Sequence, residues 1–160
     1  MKIYGNISIK NINDDYAIQL VDILNNDHRL KNALNSEGSK ISKLEFIDYN
    51  NQWCNKNNAE IFAIVLNDIA IGTISLSHQN IKEQKAQIGY WIGSKYWGNG
   101  YTSCAFSQVL NLAGEKGIKY ISATIKDDNI ASKKIWVKNG AKIETKDKKL
   151  NVLLTLDDII

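Results

Sequence analysis

The apolar positions of this chain change period several times, and each change predicts an element. Between Lys2 and Lys10, Ile3, Ile7 and Ile9 alternate with polar neighbours, as in a half-buried strand. Asn13-Asp14-Asp15 supplies an N-cap and an acidic first turn, after which Tyr16, Ala17, Leu20, Ile23 and Leu24 recur at helical spacing up to Asn25-Asn26. Residues 27–41 lose the pattern and read as a mobile connection. Ser42 and Glu45 then form a capping box, opening a second helix with Leu44, Phe46, Ile47, Trp53 and Cys54 on its apolar side.

The middle of the chain reads as a meander. Strands are predicted over 60–66, 69–76 and 86–92, with Asn67-Asp68 as a two-residue hairpin and a polar link from His78 to Lys85. Such short links make the three strands antiparallel. Past the glycine-rich stretch 93–100 the period becomes helical, through Thr102, Ala105, Phe106, Val109, Leu110 and Ala113, and closes at Gly114 and Gly117. A strand over 119–125 follows, then a helix capped by Asp127-Asp128-Asn129 that runs to Lys138 and stops at Asn139-Gly140. A hairpin of 141–145 and 150–156 turns at Asp147-Lys148. The sum is one α/β (α+β) domain over residues 1–160, with about seven strands in a mixed, mostly antiparallel sheet and four helices. The helix between 86–92 and 119–125 makes those two strands parallel through a right-handed crossover.

Composition narrows the function classes. The 160 residues carry a net charge of +3, with basic residues spread along the chain, which argues against a nucleic-acid partner. Cys54 and Cys104 stand far apart without metal-ligand spacing, so neither a disulfide framework nor a metal site is expected, and a reducing cytoplasm is the expected location. No apolar run is long enough to span a bilayer, so no membrane partner is expected.

One stretch carries candidate chemistry. Gln87 to Ser103 reads as a strand, a Gly98-Asn99-Gly100 turn and a helix start, an arrangement that suits a phosphate because unpaired N–H groups and the helix dipole face it. A P-loop would need Gly-x-x-x-x-Gly-Lys-Ser/Thr, which does not occur. A Rossmann site would need a third glycine where Ser103 stands, and parallel units where the chain has a meander. The plain alternative is a tight turn with no ligand.

Four linked motifs decide between these. Gly89-Tyr90-Trp91-Ile92, Tyr96-Trp97-Gly98-Asn99-Gly100-Tyr101-Thr102, Asn129-Ile130-Ala131-Ser132 and Lys138-Asn139-Gly140-Ala141 resemble those of the Gcn5-related N-acetyltransferase (GNAT) superfamily, within it the branch that acetylates ribosomal-protein N-termini (RimJ/RimL-like). The resemblance implies the GNAT fold, splayed between the strands at 86–92 and 119–125, with acetyl-CoA as the donor. It places the pantetheine arm against the backbone of Trp91 and Ile92, with Gly93-Ser94 opening that edge. Lys95, Trp97, Gly98, Asn99, Gly100, Tyr101 and Thr102 fall at the pyrophosphate, Asn129 at the pantetheine amides, and Ser132 beside the leaving thiolate.

Departures from the family pattern matter as much. Lys95 stands where Arg or Gln is usual, keeping the charge without the planar fork. Cys104 replaces a glutamate, and Lys133 and Lys134 are candidates for the 3′-phosphate against the plain reading of a solvated face. Trp136 occupies the position of the tyrosine that many members use as general acid, and an indole N–H cannot supply that proton. Candidate bases for the amine are Glu83 and His78, with Gln87 where a carboxylate often sits and Tyr90 read as core. Asp22, Asp27, Glu37, Glu45 and Asp48 give the region over the acceptor an acidic bias suited to an amine acceptor substrate. Relatives are frequently homodimers. The implied activity is direct acetyl transfer to a primary amine, either a protein N-terminus or a small molecule. The alternative is an acyl-CoA-binding sensor without turnover.

Overall fold

Turn chemistry sets the registers of the sheet. In this computed structural model, which describes residues 6–36, 38 and 40–156, Asn67 and Asp68 both take positive φ (48° and 69°) and join β2 (Glu60–Leu66) to β3 (Ile69–Asn80). Asp147 and Lys148 do the same (52° and 63°) between β6 (Lys142–Lys146) and β7 (Lys149–Thr155). Two left-handed residues in a row match the twist of the flanking strands. Ile3 and Glu37 lie outside the described residues; the first strand, β1, is described as Ile7–Asn11.

Helix caps fall where the side chains predict them. Asn13 accepts from Tyr16 N–H to start α1 (Asp14–Asn26), and Ser42 and Glu45 close a reciprocal capping box on α3 (Lys43–Asn57). The expected connection at 27–41 instead contains a fifth helix, α2 (His28–Ala33), capped by Asp27 and anchored by Leu30, which is 2% exposed. With one buried residue in six, it leaves no apolar period to read. β3 also runs three residues into the expected polar link, past an irregularity between Ser77 and Asn80 where His78 has φ 52°. The remaining elements are β4 (Lys85–Ile92), a 3₁₀ turn at Ser94–Tyr96, α4 (Tyr101–Glu115), β5 (Tyr120–Lys126) and α5 (Ile130–Lys138).

Among the described residues seven strands form one sheet in the order β1-β2-β3-β4-β5-β7-β6, antiparallel except at β4–β5. Alternation sorts β2 onto two apolar layers, Ile64 on one and Ala63 and Val65 on the other, and the register shift between Ile64 and Val65 puts Ala70 of β3 with the second. Ile74 and Leu76 join Ile88, Ile92, Ile121 and Val152 under Phe106 and Val109 of α4 and Trp136 of α5. Ala63, Val65 and Ala70 meet Ala17, Leu20 and Val21 of α1 and Phe46 of α3.

One pair of strands does not stay together. β4 and β5 pair only at Lys85 with Tyr120, Ala86 with Ile121 and Gln87 with Ser122. Beyond Gln87, β4 continues with β3 to Ile92, whereas β5 continues with β7 to Lys126. The strands therefore part at Ile88, five residues before the expected break at Gly93-Ser94. Gly93 itself is still tied to β3 through its N–H and the Ile71 carbonyl at 2.8 Å.

Candidate active site

The parted edge of β4 offers specific backbone groups. Ile92 stands opposite Gly72 while the next residue, Gly93, donates to Ile71, and this fixes the phase of the ladder. Ile92 is then a non-hydrogen-bonded pair, whose N–H and C=O turn away from β3; Tyr90 and Ile88, two and four residues back, share that phase. Trp91 is turned the other way. A Cβ at position 72 would lie 2.2 Å from the Trp91 carbonyl oxygen, so this carbonyl faces β3 and Gly72 is required there. Of the two residues expected to lie against a ligand, Ile92 turns its backbone groups to the opened edge and Trp91 turns its own to β3, while Tyr90 shares the phase of Ile92. The Ile92 carbonyl already accepts the Trp97 indole N–H at 2.9 Å, leaving its N–H for a ligand.

The glycine loop follows immediately. Gly98 and Gly100 take φ of 79° and 80°, conformations that cost a side-chain-bearing residue energy. Asn99 stitches the loop together, its amide donating to the Tyr96 carbonyl at 3.0 Å and the Trp97 carbonyl at 3.3 Å. Gly100 is the N-cap of α4, where no side chain caps the helix and no acidic residue occupies the first turn. The opening N–H groups of a 15-residue helix thus stand at the end of the parted strands, an electropositive seat for an anion.

The opposite wall comes from α5. Asn129 caps that helix by accepting Ser132 N–H at 3.1 Å, so capping belongs to Asn129 and not to Ser132. Ser132, 7% exposed, meets Tyr90 of β4, whose hydroxyl donates to Ser132 Oγ at 2.9 Å. The Tyr90 ring is held edge-on by Phe106, which in turn packs against Trp136 with ring centroids 5.1 Å apart. Burial raises the Tyr90 pKa against the opposing hydrogen bonds of Ser132 and Trp136, so the phenol keeps its proton. Trp136 is a core residue at 1% exposure.

A clasp from α2 holds the loop in place. Asp27 accepts Ser94 N–H at 2.6 Å and the Ser94 hydroxyl at 2.7 Å, while capping α2 through Leu30 N–H at 3.1 Å. Burial alone would raise the Asp27 pKa; the hydrogen bonds from Ser94 and Leu30 and the charge of Arg29 outweigh it and lower it below 3.8. Arg29, the single arginine of the chain, lies over the Trp97 ring at 5.0 Å. The Asp27 carboxylate thereby accepts three hydrogen bonds, two from Ser94 and one from Leu30.

Other expected residues lie elsewhere. Glu83 is on the β3–β4 turn, 3.2 Å from Lys85 in an exposed ion pair, and the exposed His78 has Nδ1 2.9 Å from Ser77 Oγ. Both precede the paired residues 85–87 and are not brought beside Ser132. Lys95 lies over Tyr96 at 5.0 Å, and Lys133, Lys134 and Cys104 are exposed. Among the described residues no three His, Cys, Asp or Glu side chains gather as metal ligands, and no helix is long and apolar enough to cross a membrane. Sequence reasoning read Tyr90 as core and Asp27 as part of an acidic region over the acceptor, and did not single out Arg29. Tyr90 shares the alternation of Ile88 and Ile92, and that phase was the available signal.

Comparison with known proteins gives the family and the fold. The family described as the acetyltransferase (GNAT) domain matches residues 8–142. The uncharacterized N-acetyltransferase YoaA of Bacillus subtilis (strain 168) is 35% identical over 71 residues, which is 44% of this chain and 40% of that protein. The uncharacterized N-acetyltransferase C18E5.08 of Schizosaccharomyces pombe is 33% identical over 70 residues, 44% of this chain and 38% of that protein. The alignments thus span about two-fifths of these relatives' own lengths. Among solved structures, RimL, a ribosomal L7/L12 alpha-N-protein acetyltransferase in complex with coenzyme A, superposes with a TM-score of 0.78 at 15% identity, covering 98% of this chain and 97% of that one. The microcin C7 self-immunity acetyltransferase MccE, in complex with acetyl-CoA and AMP, gives 0.75 at 19% identity over 94% and 92%. At these identities the likeness is one of fold.

Proposed function

Because the chain belongs to the acetyltransferase (GNAT) family, we propose that it is an acetyl-CoA-dependent N-acetyltransferase that passes the acetyl group directly to a primary amine. The observation that carries this reading is the parting of β4 from β5 between an uncapped helix start and a buried serine hydroxyl. A pantetheine arm along the opened edge would pair with the Ile92 N–H and the Tyr90 backbone, a form of strand addition. Its pyrophosphate would meet the N–H groups of Gly98 to Thr102, beside the charge of Lys95, and Asn129 would face the pantetheine amides. The thioester then lies near Ser132.

The amine nitrogen bonds to the thioester carbon, the carbon–sulfur bond breaks with its electron pair on sulfur, and the amine's proton passes to water. Ser132 donates its hydroxyl hydrogen bond to the developing thiolate. Glu83 and His78 sit beyond the closed end of the slot, and Glu83→Gln or His78→Ala is expected to lower kcat less than tenfold.

The acceptor is a protein N-terminus or a small amine. A second reading, an acyl-CoA sensor, is favoured by the burial of Trp136 and by the ion pairing of Glu83 away from the slot. Incubating the protein with acetyl-CoA and a panel of peptide and small-molecule amines, while following free thiol, separates the two. Amine-dependent thiol release supports the transferase, and tight binding with no release on any amine supports the sensor.

A further inference from the structure

The residues of α5 leave Ser132 without an obvious partner on its own helix, yet its oxygen is not alone. Tyr90 reaches it from β4, across the slot, at 2.9 Å. A serine hydroxyl has one proton and can use it only once. If Ser132 spent it on Tyr90, nothing would remain for a ligand. The proton of Tyr90 decides the direction. The buried phenol keeps its proton, and among the described residues Ser132 Oγ, at 2.9 Å, is the acceptor its hydroxyl meets, so the Tyr90 O–H is directed to Ser132 Oγ. Ser132 N–H is tied to Asn129 at the same time, so both ends of the serine are fixed.

We propose that Tyr90 is a positioning residue for the leaving group: by donating to Ser132 it occupies one of the serine's acceptor lone pairs and leaves the serine proton for the sulfur of the bound cofactor. The chain of donors runs from Tyr90 to Ser132 to sulfur, and charge developing on sulfur strengthens each link. This assignment rests on the acetyl-CoA reading given above.

Tyr90 orients and does not surrender its proton. A thiol titrates at about 8.5 and a phenol at about 10, and burial moves Tyr90 further up. Transfer from Tyr90 to a thiolate would be uphill, whereas a hydrogen bond to Ser132 costs nothing in protonation.

The test needs no acceptor and uses CoA itself as the probe. The ultraviolet absorbance of the thiolate of protein-bound CoA is titrated between about pH 6 and 9, below the ionisation of ordinary tyrosines at about 10. The same titration is run on wild type, Tyr90→Phe, Ser132→Ala and the double variant, with CoA affinity and thermal midpoint measured alongside. Phenylalanine keeps the edge contact with Phe106, so the thermal midpoint should stay close to that of wild type and CoA affinity within about twofold of it. The bound thiol should become roughly three- to tenfold harder to ionise in Tyr90→Phe and at least as much in Ser132→Ala. The double variant should be no worse than Ser132→Ala. A Tyr90→Phe thiol that titrates like wild type, or effects that multiply in the double variant, overturns the role of Tyr90. An unchanged thiol in Ser132→Ala removes Ser132 and Tyr90 together, whereas loss of CoA binding by wild type would instead refute the cofactor reading.

Discussion

At the scale of single residues, the site depends on a few side chains held from more than one side. Ser132 is buried and bonded to Asn129 and Tyr90. Ser132→Ala should lower kcat by roughly 10- to 100-fold, the range of one lost donor to developing charge, with the KM for acetyl-CoA within about twofold in steady-state assays. Asp27 makes the complementary case on the other side of the loop. Its folded pKa lies below 3.8, so the stability it contributes is present above that value and is lost as pH falls through the folded pKa. Equilibrium unfolding below about pH 4 should therefore weaken more steeply in wild type than in Asp27→Asn. The effect will be small, because Asp27 is only partly buried and solvent screens it.

At the scale of elements, the parted strands and the glycine loop work as a unit. Gly100→Val would put a β-branched residue at φ 80° on the N-cap of α4. It should abolish CoA binding in calorimetry while the far-ultraviolet circular dichroism stays native. Gly72→Ala should destabilise the fold through its 2.2 Å clash with the Trp91 carbonyl, lowering the unfolding midpoint in urea. The elements also show what a sequence can and cannot reveal. Caps and turns were readable because a single side chain satisfies a local backbone group, as Ser42 and Glu45 do on α3. The glycine loop was readable because Gly98 and Gly100 need left-handed backbone. Helix α2 was not, since its cap is also the partner of Ser94, 67 positions away, and it buries only Leu30. The parting at Ile88 was not either, because pairing between β4 and β5 depends on where two distant strands diverge. Tyr90 could be assigned to a face, but its meeting with Ser132, 42 residues on, depends on how α5 lies across the slot.

At the scale of the whole molecule, the two sheet faces have separate duties. The layer of Phe106, Trp136 and the strand isoleucines stabilises the wall that carries Ser132 and Tyr90. Trp136→Ala should cost about 3–5 kcal/mol in chemical denaturation and loosen the site with it. The other layer presents α1 and α3, and through the Asp27 clasp on α2 the chain over the sheet is tied to the cofactor loop. These relations converge on one claim, that the donor thioester is held in the opening between β4 and β5. The most direct measurement is a titration of the isotope-labelled protein with acetyl-CoA, followed by backbone amide resonances. The account predicts shifts concentrated at Tyr90, Ile92, Gly98 to Thr102 and Asn129 to Ser132, with residues 85–87 and the β6–β7 hairpin unmoved. Shifts that spare Ile92 and the first turn of α4, or that cluster outside this opening, would contradict it.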